Sequence, residues 1–260
     1  MHFRARFAAA VVLPPLLLVT AACGGSEDGK EDPKADAKAT SGVGSTAGAT
    51  AGASGDSGAS NSEVADSTKG YKLVAPESVD AYTKSSPGGT PGAKEAQDLG
   101  VDNAQTVSGA YNAPSTDPDD RTKVGGTRLN FYGYYGEIAD PAKALDTYLA
   151  NVGNKGLKGT GKPQGMEIQP VGSAKAVKPA DFAGALMKCQ DMKVTSSNVD
   201  GAPKDGADFQ FTVCAWSDYS TLGAADVVGL AQMRLGGEGP SQDEVVALTV
   251  KLYNTARQKA

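Results

Sequence analysis

The chain has 260 residues, of which 25 are basic and 30 acidic, and its net charge is −5. An acidic excess disfavours binding to nucleic acid and electrostatic attachment to anionic lipid. The one histidine is His2. We expect it to be removed with residues 1–22, and a mature chain without imidazole has no Ser-His-Asp site and no histidine-ligated zinc or iron site.

Residues 1–22 have the layout of an export signal. Two arginines precede an apolar run from Phe7 to Ala22 that carries no charge. This run has the length of a signal-peptide core and is too short for a comfortable membrane span. The adjacent Pro14 and Pro15 would also break a spanning helix. We therefore expect residues 1–22 to direct export.

The apolar run ends at Cys23. The segment Val19-Thr20-Ala21-Ala22-Cys23 resembles the lipobox of bacterial lipoproteins, with Thr20 where leucine is commonest. In that family the cysteine takes a diacylglyceryl group and becomes the first residue of the mature chain. The resemblance implies lipidation of Cys23 and a cell-membrane anchor on the extracytoplasmic face, since two acyl chains hold a protein stably. The alternative is an ordinary cleaved signal with an unrelated cysteine.

The composition changes completely after the cysteine. Between Gly24 and Gly70 there is no aromatic residue and no Leu, Ile or Met. Such a segment cannot bury enough apolar surface to offset the entropy of ordering it. We expect residues 23–70 to be the lipidated cysteine and a disordered tether, about 35–40 Å in root-mean-square span. Residues 71–260 are then one globular domain.

Hydrophobic patterning predicts a mixture of strands and helices in this domain. Asp140-Pro141 begins a helix that we expect Gly153 to end. The capping box Ser241-Gln242-Asp243-Glu244 begins a second helix. Strands are predicted at 71–75, 104–111, 127–135, 166–171, 184–194, 209–216 and 221–230. The predicted fold class is α+β: a single domain with a mostly antiparallel sheet and two main helices packed on one face.

Cys189 and Cys214 remain if Cys23 is lipidated, and an even number suits an oxidising compartment. Two Asp-Gly steps and a proline separate the strands that carry them. Folding the chain about Gly201–Ala202 sets Cys189 opposite Cys214, near enough for a disulfide. The alternative, a redox-active pair, lacks a C-x-x-C motif and a helix start that would lower a cysteine pKa.

Two loops carry weaker resemblances to ligand sites. Residues 156–163, GLKGTGKP, match G-x-x-x-x-G-K but place Pro163 where a P-loop needs Ser or Thr for magnesium. The acidic turn at 117–120 lacks the spacing and glycine of an EF-hand loop. We expect neither a phosphate site nor a metal site, and no cofactor.

Carboxylates for a glycosidase-type pair are also present. Glu137, Asp140, Asp181 and Asp218 are candidates, but their spacing does not select two of them. The sequence therefore predicts no catalytic residue.

Aromatic residues concentrate in LNFYGYYGEI at 129–138. If Phe131 and Tyr135 face the core, Tyr132 and Tyr134 project from the other side of the strand. Exposed tyrosines form a flat binding surface for sugars, peptides or a protein. Trp216 either joins this candidate surface or shields the disulfide. The alternative is that a helix covers this side as well.

The C-terminal half carries a further resemblance. MKCQ at 187–190, CAWSDYSTLG at 214–223 and the terminal helix VVALTVKLYNTARQ resemble uncharacterised cell-envelope lipoproteins of high-GC Gram-positive bacteria. The strand and helix order distantly resembles the Mog1/PsbP-like sheet of some actinobacterial lipoproteins. These resemblances imply location, disulfide and domain type, and no activity.

The sequence thus predicts a membrane-anchored lipoprotein with a non-catalytic domain that binds an envelope protein or a small ligand. A carboxylate-based hydrolase of cell-wall glycan is one alternative. A structural or sensor-accessory protein without a ligand is another.

Overall fold

A nine-stranded sheet dominates the computed structural model, which describes residues 60–115, 119, 125–158, 166–196 and 207–260. The strands are β1 Tyr71–Leu73, β2 Ser78–Val79, β3 Tyr82–Ser86, β4 Val101–Ala113, β5 Thr127–Ile138, β6 Met166–Ala176, β7 Leu186–Ser196, β8 Phe209–Ser217, β9 Thr221–Gly229, β10 Gly237–Glu238 and β11 Arg257–Lys259. The helices are α1 Ala93–Asp98, α2 Pro141–Lys158, α3 Gln232–Leu235 and α4 Gln242–Ala256.

Strands in the sheet follow the order β2-β3-β4-β5-β9-β8-β7-β6, and every neighbouring pair along this path is antiparallel. The short β10 pairs in parallel with β8, and β1 and β11 form a separate two-stranded sheet. The mixed α+β class, the mostly antiparallel sheet and the two main helices are therefore confirmed.

The two main helices begin where their caps predict. Asp140 accepts a hydrogen bond from the backbone N–H of Lys143 at 3.0 Å, and Ser241 accepts one from Glu244 at 3.3 Å. The first helix does not end at Gly153, however, because α2 continues to Lys158. A Cβ on Gly153 would lie 3.1 Å from Pro170 of β6, so this glycine permits a close approach between α2 and β6.

The main helices lie on opposite faces of the sheet, whereas the sequence led us to expect both on one face. Phe131 and Trp216 pack in the core layer that contains α4. Tyr134 and Ala215, at the opposite parity on the same strands, pack in the layer that contains α2. Because side chains alternate across a strand, these two layers cover different faces.

The folded domain also begins earlier than Tyr71. Val64 and Thr68 are 7% and 4% exposed, and the backbone N–H of Ala65 donates to Gly184 at 3.0 Å. Residues 60–70, which we expected in the tether, are therefore packed on the domain. The remainder of the predicted tether lies outside the described residues, as do residues 1–22.

The predicted strand register around the cysteines is confirmed. Cys189 on β7 directly opposes Cys214 on β8, and a disulfide joins them with a Cα–Cα distance of 4.1 Å. The pairing continues to Val194 opposite Phe209. In the part of the chain that the structure covers, the helices lack the length and apolarity needed to cross a bilayer.

Candidate functional site

The predicted aromatic binding surface is not exposed. Tyr134 is 1% exposed and Trp216 0% exposed. The Tyr134 ring meets Tyr148 of α2 edge to face, with centroids 6.2 Å apart. Of the two alternatives, the exposed surface is therefore wrong for Tyr134 and Trp216. A helix covers Tyr134, and Trp216 lies in the same core as the disulfide. Tyr132 is half-buried.

Trp216 instead belongs to the core around the disulfide. Its ring stacks on Phe131 at 6.0 Å and meets Tyr253 of α4 edge to face at 5.8 Å. Cys189 and Cys214 are 2% and 0% exposed. A thiol must reach a disulfide sulfur to exchange with it, so this buried bond acts as a structural link between β7 and β8.

The four candidate carboxylates are dispersed. Glu137 and Asp181 are exposed, and Asp140 caps α2. Asp218 is 0% exposed and lies 3.1 Å from Arg257. Across the described ranges, no three His, Cys, Asp or Glu side chains come close enough to share a metal ion.

A different set of polar side chains meets on the α2 face of the sheet. Asn130 on β5 directly opposes Asp226 on β9, and its Nδ2 donates to Asp226 Oδ1 at 2.8 Å. Arg128 Nε donates to Asn130 Oδ1 at 3.1 Å. Tyr132 lies two residues beyond Asn130 on the same face. We refer to Arg128, Asn130, Tyr132 and Asp226 as the Asp226 cluster.

The Asp226 cluster lies on the face of the sheet against which α1 and α2 pack. Helix α2 lies over β6, β7 and β8 and reaches β9, and α1 packs on β4. Between them, Arg128, Asn130 and Tyr132 are half-buried, while Asp226 is 9% exposed. The cluster is thus buried at Asp226, while its other three side chains remain partly exposed.

Burial controls the protonation of this cluster. It raises the pKa of Asp226 to about 6, against the smaller opposing effects of the hydrogen bond from Asn130 and the charge of Arg128. Burial, together with the negative charge of Asp226, also raises the pKa of Tyr132. At neutral pH the cluster therefore presents a carboxylate, a guanidinium, an amide and a neutral phenol.

Such a set can make several hydrogen bonds to a ligand. Asp226 uses Oδ1 for Asn130, and Arg128 uses Nε. Among the described residues, the second oxygen of Asp226 and the terminal nitrogens of Arg128 have no hydrogen-bond partner. A carboxylate oxygen only accepts and a guanidinium only donates, so the cluster offers both kinds of group side by side.

A groove lies beside the start of α4. This groove is lined by residues of β7, β8 and β10 and of the turn into α4: Asp191, Gln210, Phe211, Thr212, Glu238, Gly239, Pro240, Ser241 and Gln242. Thr212 donates to Asp191 Oδ1 at 2.7 Å. The groove holds two carboxyl groups, on Asp191 and Glu238, which the sequence did not single out.

Several predicted features lie outside the described residues. They are the lipidation residue Cys23, most of the acidic turn at 117–120, and the end of the glycine-rich segment at 156–163. The prediction of lipidation therefore stays a prediction.

The amino-acid sequence did not lead us to the Asp226 cluster, although two of its features pointed to a polar site. Asp226 is a lone charge in the apolar stretch of β9, and a charge there requires a partner. Arg128, Asn130 and Tyr132 alternate along β5, which places them on one face. What was missing was the pairing of β5 with β9, which brings the two signals together.

Comparison of the chain with protein-family models, with curated proteins and with solved structures found no match.

Proposed function

We propose that this chain is a lipoprotein anchored through Cys23 to the extracytoplasmic face of the cell membrane. The observation that carries the proposal is the buried disulfide between Cys189 and Cys214. Structural disulfides form and persist in oxidising compartments outside the cytosol. The lipobox-like segment ending at Cys23 supplies the corresponding export and anchoring signal.

We further propose that the domain is a non-catalytic binding module. The Asp226 cluster supports this role because three of its side chains, Arg128, Asn130 and Tyr132, carry hydrogen-bonding groups and are partly exposed. Hydrogen-bond geometry within the cluster fixes Asn130 between Arg128 and Asp226, and a fixed arrangement lowers the entropic cost of binding.

Replacing Cys23, whose sulfur would carry the diacylglyceryl group, tests the anchor. Full-length protein expressed in a bacterial host is partitioned between detergent and aqueous phases of Triton X-114, as wild type and as Cys23→Ala. Wild type is expected in the detergent phase, because two acyl chains bind strongly to micelles. Cys23→Ala is expected in the aqueous phase or as unprocessed precursor.

A matched control distinguishes lipidation from a general effect on the signal. Thr20→Leu restores the residue that is commonest at this lipobox position and is expected to partition as wild type does. Identical partitioning of wild type and Cys23→Ala would contradict the anchor.

A carboxylate-based hydrolase is the second candidate, favoured by the groove beside α4. Asp191 and Glu238 line that groove together, and glycoside hydrolysis requires two carboxyl groups flanking the scissile bond. Release of reducing ends from purified peptidoglycan is the assay. Under this alternative, release is lost in Asp191→Asn and in Glu238→Gln but kept in the exposed control Asp181→Asn. A wild-type protein that releases nothing contradicts the hydrolase.

A further inference from the structure

We propose that the Asp226 cluster binds the hydroxyl groups of a neutral saccharide. This inference rests on the binding role proposed above and names its ligand class and site. The site consists of Arg128, Asn130 and Tyr132 on β5 and Asp226 on β9.

The pairing of donors with acceptors favours a hydroxyl-bearing ligand. A sugar hydroxyl both donates and accepts, so one hydroxyl can donate to Asp226 while its neighbour accepts from Arg128. A simple anion would be repelled by the carboxylate of Asp226, and a simple cation would be repelled by the guanidinium of Arg128. Neither charge matches both groups of the cluster.

The extent of the cluster also suits a saccharide. Arg128 and Tyr132 are four residues apart on one strand, about 13 Å at about 3.3 Å per residue. That length exceeds the size of a small ion and accommodates more than one sugar ring. Tyr132 at one end is half-buried and supplies an aromatic surface for the apolar side of a ring.

The side chains beside the cluster on the neighbouring strands are small or aliphatic. On β4, Ser108 and Ala110 oppose Tyr132 and Asn130. On β8, Val213 opposes Asp226. Small and aliphatic neighbours leave the cluster as the polar centre of this part of the face, and the sheet backbone fixes the spacing of its side chains.

Saturation-transfer difference NMR on the full-length protein in a non-sugar detergent tests the proposal. The probes are the tetramers of β-linked glucose, β-linked N-acetylglucosamine and α-linked mannose, each at about 1–10 mM, the range that detects millimolar dissociation constants. Inorganic phosphate, followed by the width of its ³¹P signal, is the anion probe. We expect transfer to at least one tetramer and no broadening of phosphate.

Variants locate the site. Arg128→Ala, Asp226→Asn and Tyr132→Ala are each expected to raise the dissociation constant about tenfold, since each removes a hydrogen bond to a charged group or an aromatic contact. Arg234→Ala, which removes an exposed arginine of α3, and Asp181→Asn are matched controls expected to change it less than about twofold.

Three results would overturn the proposal: no transfer to any tetramer, transfer that all three cluster variants retain, or phosphate broadening that Arg128→Ala abolishes. Triton X-114 partitioning is measured on the same samples. A protein that still enters the detergent phase but binds no tetramer refutes the saccharide site and leaves the anchor standing.

Discussion

The guanidinium of Arg257 lies against the carboxylate of Asp218, with Nε 3.1 Å from Oδ2 and side chains 10% and 0% exposed. The rings of Tyr71 and Tyr253 each lie 4.2 Å from the guanidinium carbon. Arg257 thus joins the C-terminal strand β11 to the turn between β8 and β9 and to β1. Although the helix dipole favours a basic residue near the end of α4, this arginine follows the helix and serves as an internal link.

Removing this link should destabilise the domain strongly. Arg257→Ala leaves the carboxylate of Asp218 buried without its cation, and breaking one side of a buried ion pair costs about 3–5 kcal/mol. The free energy of unfolding in urea is the measurement. A loss below about 1 kcal/mol would show that Asp218 is satisfied by its hydrogen bonds from Ser220 and Thr221 alone.

An exposed pair provides the control for this experiment. Lys94 and Asp98 form an ion pair on α1 with side chains 85% and 54% exposed. Lys94→Ala is expected to change the free energy of unfolding by less than about 0.5 kcal/mol, because exposed pairs contribute little.

Stability should fall as the pH rises through the titration of Asp226. The pKa of this carboxyl is raised from 3.8 to about 6 by burial, so the folded state holds the proton more tightly than the unfolded state. Its contribution is complete below pH 3.8 and is lost as the pH rises through about 6. Asp226→Asn keeps the amide contact with Asn130 and removes the charge.

The measurement is urea unfolding of wild type and Asp226→Asn at pH 5 and pH 8. Relative to the variant, wild type should lose about 1.5 kcal/mol between these two values. Burial also raises the pKa of Asp218, and comparison with the variant removes that background. Parallel pH profiles for the two proteins would contradict the assignment.

The disulfide should stabilise the domain without taking part in redox exchange. Replacing both Cys189 and Cys214 by Ala should cost about 3 kcal/mol, as expected for a closed loop of this length. In the native protein the bond should resist dithiothreitol and become reducible only when urea opens the fold. Rapid alkylation of both cysteines in folded, dithiothreitol-treated protein would indicate an accessible redox pair instead.

Gly223 should be the least replaceable glycine of β9. A Cβ at this position would overlap the six-membered ring of Trp216, which is itself 0% exposed and cannot move aside. Gly223→Ala should destabilise by about 1–3 kcal/mol or more. Gly92→Ala, whose Cβ would meet nothing within 4 Å, should be neutral within about 0.5 kcal/mol. Equal thermal midpoints for the two variants would contradict this packing.

Substitution of Asn61 tests whether the folded domain begins before Tyr71. Its Oδ1 accepts from the backbone N–H of Ala142 at 2.8 Å, and its Nδ2 donates to Asp140 at 2.8 Å. Asn61→Ala should therefore weaken the start of α2 by about 1 kcal/mol. An unchanged unfolding midpoint would mean that residues 60–70 belong to the tether, as the sequence suggested.

The strands and their cysteine pairing could be predicted because the signals are local. Cys189 and Cys214 fall opposite each other once two neighbouring strands fold about one turn. The starts of α2 and α4 follow from Asp140 and Ser241 in the same way, since a cap acts within one helical turn.

The faces that the helices cover could not be predicted from the apolar stripe of each helix. A stripe shows that one side is buried but does not select a face of the sheet. The continuous burial of β9 from Thr221 to Val227 indicates cover on both faces, and its run of apolar residues was the available signal. The pairing of Asn130 with Asp226 depends on contacts 96 residues apart along the chain, which local patterns do not encode.

The mass of the N-terminal peptide of the mature protein tests the central claim most directly. If the proposal holds, protein extracted from the membrane fraction and digested with a protease yields a first peptide that begins at Cys23 and carries the mass of a diacylglyceryl group. A first peptide that begins at Met1 without acyl mass, in protein recovered from the cytosol, would contradict the account.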